Sequence, residues 1–166
     1  MPFELRPHPY PTLKPDGEYL QSAWQKSVYP VAAQLGVPIE LPKVSPQPYT
    51  RLAHEGMEYA KDHGKADEYN HAVFSAFFQD SEDIGSLDVL SRIAGRVGLD
   101  EQDFRRVLEE GGYRRRTGEL LREAGKQMIN SVPTFIIGAR RFSGLYPAEA
   151  LSRVIDEESG RTAQHG

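Results

Sequence analysis

Residues 130–138 read NSVPTFIIG, and this stretch decides how the rest of the chain is interpreted. The run Thr134–Ile137 is apolar and β-branched, which is typical of a short strand. Arg140–Ser143 has the pattern of a second strand, and Gly138 with Ala139 between them predicts a tight hairpin turn. A two-stranded hairpin is not stable alone, so the sequence predicts a sheet larger than the chain obviously supplies.

Helical periodicity dominates the chain before this hairpin. Apolar residues recur there at three- and four-residue spacing, with a break expected at Pro30 and N-caps expected from Asp83 or Ser86 and from Asp100. The expected helices cover residues 18–35, 48–64, 67–79, 86–97, 100–110 and 113–128. A last helix is predicted from Pro147, and the polar tail beyond Asp156 is expected to fray.

The composition excludes several classes of function. The 166 residues include no cysteine, so this chain has no disulfide, no thiolate metal site and no cysteine nucleophile. A formal net charge of −4 argues against a nucleic-acid or acidic-membrane partner bound through bulk charge. No apolar run approaches the ~20 residues that cross a bilayer, and no secretory signal is recognised, so a cytoplasmic location is expected.

The remaining polar clusters are interpreted as structural. No metal site is expected, because the histidines show no metal-ligand spacing; they are His8, His54, His63, His71 and His165. A packing or hydrogen-bonding role is favoured for His54. The basic run at residues 113–116 is interpreted as a solvated face that pairs with Glu119 or Glu123. No catalytic residue is assigned, since no Ser–His–Asp set, phosphate-binding loop or paired-carboxylate motif is present.

The stretch Ser131-Val132-Pro133-Thr134-Phe135, followed by the hairpin, Gly144 and residues 147–151, resembles the C-terminal half of DsbA-family thioredoxin-like proteins. Residues 2–5, 49–65, 73–85 and 89–100 are similar, in order, to the FrnE-like and 2-hydroxychromene-2-carboxylate-isomerase-like branch of that family. The resemblance spans nearly the whole chain. It implies an α/β fold that is mostly α by content: an incomplete thioredoxin-like fold with a large helical insertion.

The resemblance also implies how the chain is organised. Residues 1–166 would form a single DsbA-like domain: 1–15 the end of an N-terminal strand and a loop, 16–125 the helical insertion, 126–158 the hairpin and last helix, and 159–166 a frayed tail. In the family, a Cys-Pro-x-Cys-like motif, or a Ser in glutathione-using relatives, lies on the first strand and helix. Residues 2–5 resemble the end of the second strand, so the unit with the reactive group is expected to be missing.

The resemblance assigns a substrate-facing corner to Val132, Pro133 and Thr134. In the family the proline is cis, which leaves the backbone N–H and C=O of the preceding residue pointing outward, where a peptide or glutathione can pair as an added strand. Val132 would offer this backbone pair and Pro133 would face the redox centre. The simpler alternative is a trans proline that only begins a strand. No cofactor is required, although glutathione could bind.

Three functions are compatible with these residues. The lineage implies thiol–disulfide exchange with a protein or small thiol substrate, yet a chain without a thiolate forms no mixed disulfide, so redox inactivity is expected. The first alternative is a non-catalytic binding or assembly module that completes its sheet as a homodimer or with a partner segment. The second is a relative of glutathione-dependent isomerases or transferases, in which Tyr10, Thr12 or Ser22 would replace the lost residue.

Overall fold

The computed structural model describes residues 1–163, with side-chain environments through Gly160. Its helices are α1 (Glu18–Ala23), a π-helical turn (Trp24–Val28), α2 (Tyr29–Leu35), α3 (Arg51–Asp62), α4 (Ala66–Phe78), α5 (Leu87–Arg96), α6 (Glu101–Glu109), α7 (Arg114–Lys126) and α8 (Ala148–Ala163). Strands β1 (Thr134–Ile137) and β2 (Arg140–Ser143) pair as an antiparallel hairpin. None of the helices within residues 1–163 is both long and apolar enough to cross a membrane.

Contacts divide the chain into two compact units, each described by itself. The first, called the helical unit below, consists of Pro2 and residues 4–121. The second, called the hairpin unit, consists of Met1, Phe3 and the residues from Arg122 onward. The division falls inside α7, which therefore contributes residues to both units.

The core of the helical unit is built from one face each of α3, α4, α5 and α6. The largest side chains with almost no exposed surface include Tyr59, Tyr69, Leu90, Ile93, Phe104 and Leu108. The rings of Tyr59 and Phe104 meet edge to face, with their centroids 5.2 Å apart. This aromatic and aliphatic core fixes the four helices relative to one another and so positions the residues at their first turns.

The first helical segment is interrupted just before Pro30. The turn Trp24–Val28 is π-helical, and Pro30 follows in the first turn of α2, where its missing N–H is tolerated. Trp24 is buried and packs on Tyr29, with the ring centroids 5.5 Å apart. Gly36 ends α2 in the left-handed conformation, with φ of 65°, which glycine adopts without steric penalty.

Two predicted helix caps have different outcomes. The Asp100 carboxylate accepts hydrogen bonds from the backbone N–H groups of Gln102 and Asp103, both at 2.9 Å, which confirms the cap of α6. Ser86 occupies the cap position of α5, but its side chain makes no capping bond. Asp83 instead accepts from the N–H of Gly85 at 2.9 Å, so it orders the turn before α5.

Two expectations about the chain ends are wrong. Residues 3–5 form no strand among the described residues. They lie in irregular structure, and the proline segment after them contains a turn in which the N–H of Tyr10 donates to the carbonyl oxygen of Pro7 at 2.9 Å. The last helix does not fray from residue 159, because α8 continues through Ala163. Residues 164–166, including His165, lie outside the described residues.

The basic run at residues 113–116 is less solvated than predicted. Arg115 does pair with Glu119, at 2.7 Å. Arg116 pairs instead with two carboxylates of α3, Glu58 at 2.9 Å and Asp62 at 2.7 Å. Glu58 is buried, so this pair ties the first turn of α7 to the helical core.

Helix α7 ends in a left-handed turn that lacks the usual glycine. Met128 has φ of 51°, its N–H donates to the carbonyl of Gly125, and the N–H of Ile129 donates to the carbonyl of Ala124. These are the two bonds of a Schellman motif, in which this position normally favours glycine. The Met128 side chain is 73% exposed, so little packing offsets the strain.

We therefore expect Met128→Gly to stabilise the protein by about 0.5–1 kcal/mol, because glycine adopts a positive φ without steric penalty. Met128→Ala keeps the Cβ and should leave the strain in place. Urea denaturation of the three proteins measures the difference. A glycine variant no more stable than the alanine variant would contradict this account of the turn.

A second expectation concerns the close approach of α3 to the aromatic core. A Cβ built on Gly56 would lie 2.7 Å from Cζ of Phe104 and closer still to the Tyr69 hydroxyl. Gly56→Ala should therefore destabilise the protein by about 1–3 kcal/mol through overpacking. Gly125→Ala is the matched control, since a Cβ there meets nothing within 4 Å and helix propensity favours alanine.

Candidate functional site

Residues 131–134 form the corner that leads into β1. The Val132–Pro133 peptide bond is cis. The Thr134 hydroxyl donates to the carbonyl oxygen of Ser131 at 2.7 Å, which closes the corner on itself. The N–H of Gly144 donates to the carbonyl oxygen of Pro133 at 2.9 Å, so the corner is also tied to the residue that follows β2.

The register of the hairpin decides which backbone groups of β1 remain free. Residues 134–137 lie opposite residues 143–140, in that order. Gly144 bonds to Pro133, and in an antiparallel ladder the hydrogen-bonded pairs recur at every second residue. The N–H and C=O groups of Phe135 and Ile137 therefore point toward β2. Alternation along a strand then directs the N–H and C=O groups of Thr134 and Ile136 away from β2.

The side of β1 opposite β2 is an unpaired strand edge. Among residues 1–163 the sheet contains only β1 and β2, and no backbone hydrogen bond from this part of the chain reaches Val132. The Val132 side chain is 52% exposed and that of Ile136 is 44% exposed. We call the outward backbone groups of Val132, Thr134 and Ile136 the β1 edge. It offers alternating donors and acceptors to an added strand.

The hairpin is held in place by helix α8. Arg140 on β2 pairs with Glu157 at 2.7 Å and with Glu158 at 3.2 Å. Glu158 also lies over the hairpin turn, since a Cβ on Gly138 would be 2.9 Å from its Cδ. Gly138 has φ of 58°, so the turn needs glycine both for its backbone and for this contact. The β1 edge therefore belongs to a supported hairpin.

The three residues considered as replacements for the lost nucleophile, Tyr10, Thr12 and Ser22, do not lie at a common site. Tyr10 is exposed, and its carbonyl accepts a hydrogen bond from the Tyr49 hydroxyl at 3.0 Å. Thr12 lines a cleft in the helical unit, whereas Ser22 lines a different surface depression beside α1. No group of three or more metal-ligating side chains occurs within the described part of the chain.

Sequence reasoning missed the cleft that Thr12 lines. Its volume is about 660 Å³, and Glu55 and Arg114 are among its lining residues. Burial raises the pKa of the Glu55 carboxyl, and the charges of Arg114 and Arg51 oppose that rise. One signal could have identified Glu55: it lies three residues after Leu52, on the side of α3 that the helical period assigns to the interior.

Comparison with known proteins identifies what the chain is similar to. Residues 2–156 match the model of the DSBA-like thioredoxin domain. The chain is 44% identical over 160 residues to YwbO, an uncharacterized protein of Bacillus subtilis, a match that covers 95% of this chain and 80% of YwbO. It is also 30% identical over 118 residues to a segment of the Na⁺/H⁺ antiporter NhaA 3 of Salinispora tropica, covering 69% of this chain and 17% of the antiporter.

Two solved structures share the fold. A probable DsbA oxidoreductase from Streptomyces coelicolor superposes with a TM-score of 0.77 at 22% identity, covering 95% of this chain and 73% of that one. A protein from Nitrosomonas europaea named as a candidate disulfide isomerase gives a TM-score of 0.72, also at 22% identity, with 90% and 77% coverage. At this level of identity the agreement is one of fold.

The geometry of the β1 edge predicts an alternating pattern of amide hydrogen exchange. The amides of Phe135 and Ile137 are bonded to β2, so they should exchange at least about tenfold more slowly than the amides of Thr134 and Ile136. Residue-resolved exchange measured by NMR tests this. Equal protection at all four amides would show that the β1 edge is already paired.

Proposed function

The chain belongs to the DSBA-like thioredoxin domain family, and from this premise we propose that it is a peptide-docking domain of thiol–disulfide oxidoreductase lineage with no redox chemistry of its own. Its fold is thioredoxin-like and mostly α-helical, in the α/β class. The observation that carries the proposal is the unpaired β1 edge, formed by the backbone groups of Val132, Thr134 and Ile136.

The β1 edge is suited to an extended polypeptide. An added strand would accept from the N–H groups of Thr134 and Ile136 and donate to their carbonyl oxygens, which is the mode of strand addition. These bonds involve only backbone groups, so they accept many sequences. Selectivity would come from the half-exposed side chains of Val132 and Ile136 beside the edge.

Redox inactivity is the second part of the proposal. Thiol–disulfide exchange requires a thiolate that attacks a disulfide sulfur and then leaves it, and this polypeptide has no cysteine. A docked substrate would therefore be held without being oxidised or reduced by the chain. The substrate class is a protein or a small thiol such as glutathione. The narrower assignment to the FrnE-like branch rests on the sequence resemblance of residues 2–5, 49–65, 73–85 and 89–100 alone.

Binding of an unfolded polypeptide to Ile136→Pro and Ile136→Val variants tests the docking role. Proline removes the outward N–H of residue 136 without removing a bond to β2, because that N–H is not part of the hairpin ladder. Valine keeps the N–H and a similar side chain. With the reduced and S-methylated insulin B chain as ligand, the proline variant should bind about tenfold or more weakly, and the valine variant should bind like the natural protein.

Two outcomes of that titration would contradict the docking role: no binding by the natural protein, or unchanged binding by a folded Ile136→Pro variant. The redox part is checked separately by insulin reduction with dithiothreitol. The chain should leave the rate at the dithiothreitol background, and any acceleration would overturn the claim of redox inactivity. Reduced glutathione, added at millimolar concentration to the binding assay, shows whether a small thiol competes for the edge.

A second candidate function is assembly through the same edge. The hairpin unit exposes several large apolar side chains, which favours association; they are Met128, Val132, Ile136, Leu145, Tyr146 and Ile155. A second copy of the chain could pair with the β1 edge and cover part of this surface. Light scattering across a concentration series separates the two functions. A mass of one chain throughout rules out the homodimer, and a dimer that Ile136→Pro dissociates supports it.

A further inference from the structure

The cleft in the helical unit has the size of a small-molecule site. Its volume is about 660 Å³, within the range of roughly 300–1,000 Å³ typical of ligand pockets. All of its lining residues belong to the helical unit, and none belongs to the β1 edge. Any ligand it holds is therefore recognised by different residues from those of the proposed docking function.

Three helices begin at this cleft. Arg51, Leu87 and Arg114 line it, and they are the first residues of α3, α5 and α7. The N-terminal end of each helix carries free N–H groups and the positive end of the helix dipole. The side chains of Thr50 and Ser86, at the cap positions of α3 and α5, make no capping bond. The cleft is therefore favourable for an anionic group.

A buried carboxylate without a partner faces the same cleft. Glu55 is only 3% exposed, and among the side chains described, through Gly160, it forms no hydrogen bond or ion pair, although the charges of Arg51 and Arg114 act on it. Buried carboxylates are normally paired, because removing their charge from water is costly. Glu58, three residues along α3 and equally buried, shows the usual arrangement, with ion pairs to Lys61 and Arg116.

Arg114 is the arginine at the cleft that has no ion-pair partner in the described part of the chain. Arg51 is held by Glu4, with Nη2 2.8 Å and Nε 3.1 Å from one carboxylate oxygen. The Arg114 guanidinium lies over Gly111, where an added Cβ would be 3.1 Å from its Cζ. The absence of a side chain at residue 111 thus makes room for this guanidinium.

We propose that the cleft binds a small zwitterion, an α-amino acid or short peptide, whose carboxylate meets Arg114 and the helix N-termini and whose ammonium meets Glu55. A simple anion would be repelled by the Glu55 carboxylate. A simple cation would face two arginines and three positive helix ends. The other two carboxylates of the lining already have partners, since Asp83 accepts from the N–H of Gly85 and Glu109 pairs with Arg105. A ligand with both charges satisfies the two unpaired groups at once, which is why the zwitterion is favoured.

The buried charge of Glu55 should lower the stability of the protein near neutral pH. The folded-state pKa of Glu55 is raised, so folding binds a proton between its ordinary and its raised pKa, and the stability present at acidic pH is lost as the pH rises through that window. Glu55→Gln removes the charge. At neutral pH this variant should be at least as stable as the natural protein, so any loss of binding is not a loss of folding.

The test is a titration of the ¹⁵N-labelled protein with alanyl-alanine, followed by amide shifts around Gly111 and Arg114. N-acetyl-alanyl-alanine, which lacks the ammonium, and alanyl-alanine amide, which lacks the carboxylate, are the matched ligands. Alanyl-alanine should shift these amides saturably, and both blocked forms should bind tenfold or more weakly. The proposal is overturned by equal binding of either blocked form, or by no shift at about 20 mM dipeptide.

Variants assign the two contacts. Arg114→Gln should weaken alanyl-alanine tenfold or more, whereas Arg115→Gln, at an exposed neighbour paired with Glu119, should leave binding unchanged. Glu55→Gln should remove the preference for the free ammonium, so that the acetylated and free dipeptides bind equally. A Glu55→Gln variant that still prefers the free ammonium, or an Arg115→Gln variant as weak as Arg114→Gln, would contradict the assignment.

Discussion

The alternation of backbone groups along β1 is the constraint on which the interpretation of this protein depends. One bond, from the N–H of Gly144 to the carbonyl of Pro133, fixes which residues of β1 face β2. Once Phe135 is bonded inward, the pleat of the strand turns the N–H groups of its two neighbours outward. A strand edge with free donors and acceptors is a place where a polypeptide can pair, and sheets in proteins usually cover or pair such edges.

The helical unit shows how one helix can serve both packing and binding. On one side of α3, Tyr59 joins the aromatic core, and Gly56 lets the ring of Phe104 approach the backbone. Nearer the N-terminus of the same helix, at four-residue spacing before Tyr59, Arg51 and Glu55 line the cleft. A carboxylate that is buried, unpaired and raised in pKa lowers stability, and residues that do so are candidates for a role in binding.

Local sequence signals predicted most of the fold. Both strands have their predicted bounds, because β-branched runs separated by a glycine turn are specified by neighbouring residues. The cap at Asp100 was found for the same reason. The partners of Arg116 could not be found, because Glu58 and Asp62 lie more than fifty residues earlier and are brought near only by tertiary packing. The pairing of Arg115 with Glu119 could be predicted, because residues four apart lie on the same face of a helix.

The two candidate sites likewise differ in how far they could be predicted from the sequence. The corner at residues 131–134 was identified by resemblance to a family, and the register of the hairpin then showed which of its backbone groups are free. The cleft brings together residues from four parts of the chain, so no short motif marks it. Only the position of Glu55 on the inward side of α3 gave a signal, and its meaning depends on Arg114, which is far away in sequence.

Intermolecular nuclear Overhauser effects between a bound polypeptide and β1 test the central claim most directly. With the S-methylated insulin B chain bound, the account predicts contacts from ligand backbone protons to the amide protons of Thr134 and Ile136, in the alternating pattern of a strand pair. Contacts confined to side chains elsewhere, with Thr134 and Ile136 untouched, would contradict it.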